Sequence, residues 1–247
     1  MTPASIIRQK IWSRLTAVAL PDSRFHLAFS EVIPDFQNSA EATDRIMALP
    51  FVAAGKYAFV TPDNCLVELR RRLLQAGVTL VVSSYGIFRG FFLLEPEKIP
   101  PGQELFAAWL DGLEHFGRQV TLAEISARGK FDFLVTGASA VSLEGVRFGK
   151  GHGFFDLEWG MFTDIGIVDE ASPVVAIVHD VQVVEDKLIP SPTDIIVDYI
   201  ATPSALHKVK RTHTRPRGVN WQLLDEKTIA TTPPLKELQA IRGLAAS

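Results

Sequence analysis

The residues best placed to do chemistry form one run: Arg147-Phe148-Gly149-Lys150-Gly151-His152-Gly153-Phe154-Phe155-Asp156. Glycines without side chains let backbone N–H groups approach an anion and adopt positive φ without strain. Arg147 and Lys150 add charge that suits phosphate. Asp156 has the hard oxygen donors that a magnesium ion prefers. The run therefore reads as a phosphate cradle with a metal carboxylate at its far end. The same spacing also occurs in turns that bind nothing. No Gly-Lys-Ser/Thr follows, so this is not a Walker A loop, and the Gly-x-Gly-x-x-Gly dinucleotide spacing is absent.

Other candidates have competing structural readings. His152 can reach a phosphate or be an exposed loop histidine. His179-Asp180 can touch a pocket or form a structural pair. His26, His115, His207 and His213 show no metal-ligand spacing with Cys65 or with each other. Arg70-Arg71-Arg72 reads as a solvated helix face. Residues 207–217, with Lys208, Lys210, Arg211, Arg215 and Arg217, read as a solvated basic loop or a site for an anion or RNA. Trp159 lines the pocket or belongs to the core.

The whole chain limits these choices. It has 247 residues, 47% of them hydrophobic, and a net charge of −3. That supports a folded domain and gives no global basic field for DNA. One cysteine, Cys65, excludes an internal disulfide and fits a reducing compartment. Residues 1–20 lack the apolar centre of a signal peptide, and no stretch suits a bilayer span. The expected setting is cytoplasmic, without a membrane partner.

Periodicity predicts helices over 5–19, 40–49, 66–75, 106–116, 157–165 and 234–241. Strands are expected at 57–60, 78–82, 88–94, 131–136, 174–178 and 195–200. Residues 182–184 would extend or follow a strand, 120–122 would be short and extended, and 202–218 irregular. Alternating strands and helices predict an α/β fold with a mainly parallel sheet and helices on both faces. Ligands of such folds sit beyond the carboxyl ends of the strands, where Gly137 and the glycine run fall. The chain reads as one domain over 1–247, with a polar C-terminal extension from about residue 202.

Arg147-x-Gly-x-Gly-x-Gly-Phe-Phe-Asp156 resembles the signature of the 5-formyltetrahydrofolate cyclo-ligase (methenyltetrahydrofolate synthetase) family, Arg-x-Gly-x-Gly-x-Gly-Tyr-Tyr-Asp. Val178-His-Asp-Val-Gln182-Val-Val and Ile189-Pro190 through Asp194 to Asp198 resemble its later block. Ile7-Arg8 resembles its opening element. The match runs in order from about residue 5 to 200. It is closer to the divergent domain-containing branch, through Asp156-Leu-Glu-Trp159 and Arg215-Pro-x-Gly-Val-Asn-Trp221.

The resemblance implies the three-layer fold of the sugar-phosphate isomerase and CoA-transferase superfamily. It implies ATP, magnesium and a reduced folate, with 5-formyltetrahydrofolate cyclised to 5,10-methenyltetrahydrofolate and release of ADP and phosphate. In that reaction the formyl oxygen attacks the γ-phosphate, N10 attacks the resulting imidate phosphate, and phosphate leaves. It also implies residue roles. Arg147 and Lys150 are catalytic. Arg8, Arg147, Gly149, Lys150, Gly151, His152, Gly153, Phe154 and Phe155 hold the ATP phosphates. Asp63 and Phe155 face the folate, and Asp156 binds the metal.

Four departures stand against the family pattern. The N-terminal phosphate-binding lysine falls on Ala4. Tyr-Tyr becomes Phe154-Phe155, an aspartate becomes Ser142, and a lysine becomes Val78. Each change removes a charge or a hydroxyl. The alternative reading is a non-catalytic or repurposed member that binds nucleotide, folate or RNA. Oligomeric state is not legible.

Overall fold

The computed structural model describes residues 3–185 and 188–243. In chain order the elements are α1 (Pro3–Leu15), α2 (Ser39–Met47), α3 (Pro50–Ala54), β1 (Tyr57–Val60), α4 (Val67–Gln75), β2 (Thr79–Ser83), β3 (Phe91–Leu94), α5 (Glu104–Ala108), α6 (Leu110–Phe116), β4 (Arg118–Val120), α7 (Leu122–Ala127), β5 (Phe133–Gly137), β6 (Ala140–Ser142), β7 (Arg147–Phe148), α8 (Phe154–Asp164), β8 (Val174–Ile177), β9 (Val183–Val184), β10 (Tyr199–Ala201), β11 (Leu206–Lys208), α9 (Glu226–Thr231) and α10 (Pro233–Ile241).

Eight strands form one sheet in the order β11-β10-β8-β5-β1-β2-β3-β4. From β10 to β2 every neighbouring pair is parallel, and β11, β3 and β4 join antiparallel. The central strands are wholly buried, as unalternated runs such as Tyr57-Ala-Phe-Val60 require of a sheet covered on both faces. Tyr57 and Phe59 enter one apolar layer with Phe155, Trp159 and Phe162 of α8 and Leu235 and Leu238 of α10. Ala58 and Val60 enter the other, with α2, α4 and α6. Helices on both faces of a mainly parallel sheet are the expected α/β architecture.

A second sheet, β7-β6-β9, carries the glycine run. Ile11 of α1 packs against it with Ala140, Phe148 and Val184. Among the described residues no helix is long and apolar enough to cross a membrane.

Several boundaries differ from the sequence reading. The expected 106–116 helix breaks at Trp109, whose backbone is extended. The short extended stretch expected at 120–122 holds through Val120 of β4 and Thr121 and ends at Leu122, because Thr121 opens α7 with a capping box: its hydroxyl accepts the Glu124 N–H, and Glu124 accepts the Thr121 N–H. The 195–200 strand reduces to β10. Before it, Val197 N–H bonds to Gly145 O at 3.0 Å and Ile195 N–H to Asp156 at 2.9 Å, so that backbone serves the glycine-run side instead. Residues 206–208, expected to be irregular, supply the antiparallel edge.

Candidate functional site

The first cleft opens at the carboxyl ends of β1, β2 and β5, with a volume of about 700 Å³ including its mouth. Asp63 follows β1. Its Oδ2 accepts the Thr61 hydroxyl at 2.6 Å and the Gly137 N–H at 3.0 Å. Gly137 is needed for this approach, since a Cβ there would lie 2.9 Å from Ile33 and 3.0 Å from Asp63. Beneath it Arg70 is buried, contrary to the expected solvated face. Its Nη1 donates to Thr61 O at 2.7 Å and Asp63 O at 3.1 Å, and its Nε to Ala108 O at 2.8 Å. Burial pulls its guanidinium down to about 10. Arg71 and Arg72 instead pair with Glu68.

The rim is aromatic. Phe25 stacks on Tyr85 at 5.1 Å, with the Arg24 guanidinium over both rings. Lys150 Nζ donates to Glu31 O at 2.9 Å and lies 4.9 Å from the Tyr85 centroid. Burial lowers its pKa. Tyr85 sits on a loop where Ile87 has φ +59°, a strained conformation for a β-branched residue.

The glycine run leaves β7 and turns into α8. Gly151 and Gly153 take φ of +115° and +67°, which shape the turn. Arg147 is buried. Its Nη2 lies 3.4 Å from Asp156 Oδ1 and its guanidinium 4.6 Å from the Phe155 centroid. Asp156 Oδ1 also accepts the Ile195 N–H. Burial raises the Asp156 pKa, opposed by the Arg147 charge. Arg8 braces the run from behind, its Nε donating to Gly149 O at 2.8 Å. Phe155 packs in the core against Phe59, where a hydroxyl would find an apolar layer.

Two residues that the sequence reading did not assign stand out. Glu158 of α8 is 1% exposed, and burial pushes its carboxyl up to about 8. A carboxylate three residues after Phe155, on a helix face that enters the core, was the available signal. Asp194 lies across from Asp156 and close enough to perturb it.

A second, larger cleft of about 1410 Å³ adjoins the run. Asp156 and Asp194 line it, together with Lys227 and Thr228 of α9. Gly86, His152, Gly153, Phe154 and Asp156 line both clefts, so they form a shared wall. Asp63, Arg147, Gly149, Lys150, His152, Gly153, Phe154, Phe155 and Asp156 therefore all face the first cleft. Arg8 and Gly151 stand behind its lining. Among the described residues no group of three or more His, Cys, Asp or Glu can hold a metal unaided.

The remaining candidates are structural. His179 Nδ1 accepts the Val181 N–H, and Asp180 accepts the Thr202 hydroxyl. Trp159 is buried and donates to Pro216 O at 2.9 Å. In the basic segment, Arg211 pairs with Glu170 and Asp198, and buried Arg215 with Asp198 at 2.5 Å. Those two guanidinium groups bind the chain itself, which weakens the RNA reading. Val78 is buried in the core and Ser142 is the buried last residue of β6, both outside the clefts. The Ala4 side chain lies outside the described residues.

The chain is similar to solved and curated proteins. An NMR structure of 5,10-methenyltetrahydrofolate synthetase from Aquifex aeolicus matches with a TM-score of 0.51 and 19% identity, covering 88% of this chain and 98% of that one. It supports the fold. The methenyltetrahydrofolate synthase domain-containing protein of Homo sapiens is 33% identical over 242 residues, and that of Danio rerio 29% over 239. Each alignment covers 95% of this chain and 61% of the relative, so the chain spans about three fifths of their length. The family model described as 5-formyltetrahydrofolate cyclo-ligase matches residues 2–203, most of the chain. By that match the chain belongs to the 5-formyltetrahydrofolate cyclo-ligase family.

Proposed function

We propose that this chain catalyses ATP-dependent cyclisation of 5-formyltetrahydrofolate to 5,10-methenyltetrahydrofolate, releasing ADP and phosphate. One observation carries the reading: the glycine run with Asp156 borders two clefts at once. A phosphoryl transfer between two bound ligands needs their reacting ends to meet in line, and residues that border both clefts mark where they can do so.

The first cleft takes the folate. Its aromatic rim suits a flat ring, and Asp63 gives that ring a fixed acceptor. The second cleft takes the nucleotide, with Lys227 supplying the cation that Ala4 lacks. Arg147 and Lys150 neutralise charge on the transferred phosphoryl group, and Arg8 holds the run in place through Gly149. A magnesium ion carried by phosphates and water needs only one or two protein carboxylates, which Asp156 and Asp194 offer. When bound, it would offset phosphate charge. Leu235 and Leu238 of α10 pack on α8, which supports one domain that includes the C-terminal segment. A buried free Cys65 fits a cytoplasmic setting.

The test is the absorbance of 5,10-methenyltetrahydrofolate formed from 5-formyltetrahydrofolate, ATP and magnesium, with Asp156→Ala as control. Product that disappears in the variant supports the reading. No product from the folded wild-type chain overturns it and leaves ligand binding as the function.

A further inference from the structure

Six buried polar side-chain atoms among the described residues lack a hydrogen-bond partner, and half of them belong to walls of the first cleft: Ser83 Oγ, Arg147 Nε and Glu158 Oε2. Orphaned polar atoms are rare because each one costs the hydration it has lost. Their concentration at one cleft marks a place where a ligand completes the bonding.

Glu158 is the most costly of the three. It is 1% exposed and lies on α8 between Phe155 and Phe162, which enter the apolar layer. Leucine would fill such a position at far less cost. Ser83, also 1% exposed, ends β2 close enough to Glu158 for its hydroxyl to favour the charged carboxyl, although the pair does not reach full hydrogen-bond geometry. The rest of the cleft narrows the ligand chemistry. Phe25, Tyr85 and Phe154 favour a flat ring, while Asp63 and Glu158 present acceptor oxygens that call for N–H donors.

We infer that Glu158, seconded by Ser83, is a specificity-determining residue of the first cleft, its free carboxyl oxygen accepting from the N–H or amino edge of a flat nitrogen heterocycle. The inference rests on the reading of this cleft as the folate side. It assigns the heterocycle edge to the cleft floor, with the ring between the aromatic rim and that floor.

The experiment measures binding of pterin, 5-formyltetrahydrofolate and the non-hydrolysable ATP analogue β,γ-imido-ATP to the full chain by calorimetry. Wild type is compared with Glu158→Leu, Glu158→Gln and Ser83→Ala, each checked by thermal melting. Glu158→Leu should weaken pterin about tenfold or more, because it leaves the ring's donor unpaired. Glu158→Gln keeps an acceptor oxygen and should lose less, and Ser83→Ala less again. The ATP analogue should bind all four within about twofold, a selectivity that a purely structural role would not produce. If wild type binds pterin and the variants bind it equally well, the inference falls while the folate reading stands. If wild type binds neither pterin nor 5-formyltetrahydrofolate, both fall. Should Glu158→Leu fail to fold, Glu158→Gln and Ser83→Ala decide by the same contrast.

Discussion

The two clefts share a wall but differ in material. The first is anchored by strand ends: Asp63, Ser83 and Thr136 follow or end β1, β2 and β5, and buried Arg70 ties the Thr61–Asp63 turn to the α5 end. The second is lined by α9, which buries none of its residues, and by Leu223, 64% exposed. Sheet anchors fix polar atoms to within tenths of an ångström, whereas a helix lying on the surface holds its side chains more loosely. On the reading proposed above, the heterocycle meets a fixed hydrogen-bonding pattern, and the nucleotide meets an open groove that lets it enter and leave.

The largest expected effect comes from the wall itself. Arg147→Ala should reduce turnover by about 10³-fold, because a buried cation no longer meets the transferred charge. It should also destabilise the fold by about 3 kcal/mol by stranding Asp156. Steady-state kinetics and urea melts measure both. Turnover within tenfold of wild type would mean that the reacting groups do not meet at this wall.

Asp63→Ala should raise KM for the folate about tenfold while leaving KM for ATP unchanged. Lys227→Ala should do the reverse and more weakly, raising KM for ATP about threefold, since an exposed lysine is a screened charge. If either variant moves both constants together, the assignment of one ligand to each cleft breaks.

A further effect is on stability and its pH dependence. The folded Glu158 carboxyl, raised to about 8, keeps a proton that the unfolded chain releases above its ordinary 4.5. Its contribution therefore falls as pH rises from about 4.5 to about 8 and levels off above. Wild type minus Glu158→Gln should show that slope in urea melts, at most about 1.4 kcal/mol per pH unit. A flat difference would mean that the first cleft is wetter than its burial implies, and so closer in kind to the second.

The elements with unmixed signals were legible in the sequence. The apolar strands β1, β5 and β8 and the glycine run leading into α8 need no partner to be recognised. Three other features depend on tertiary context. Arg70 looks like its half-buried neighbours Arg71 and Arg72, and only the fold turns it fully inward to the Asp63 turn. Residues 195–198 carry strand-like side chains, but their N–H groups are taken by Gly145 and Asp156. Glu158 looks like a surface glutamate until α8 is placed on the sheet. Thr121-x-x-Glu124 was a readable start signal for α7 that short extended propensity obscured.

The shared wall has a thermodynamic consequence. Because Gly153, Phe154 and Asp156 face both clefts, a ligand on one side alters the surface presented to the other. Affinities on the two sides are then linked by a single coupling free energy. Whatever factor an unreactive ATP analogue applies to folate binding, a folate analogue must apply to nucleotide binding. Two titrations, each run with and without the opposite ligand, must return the same number.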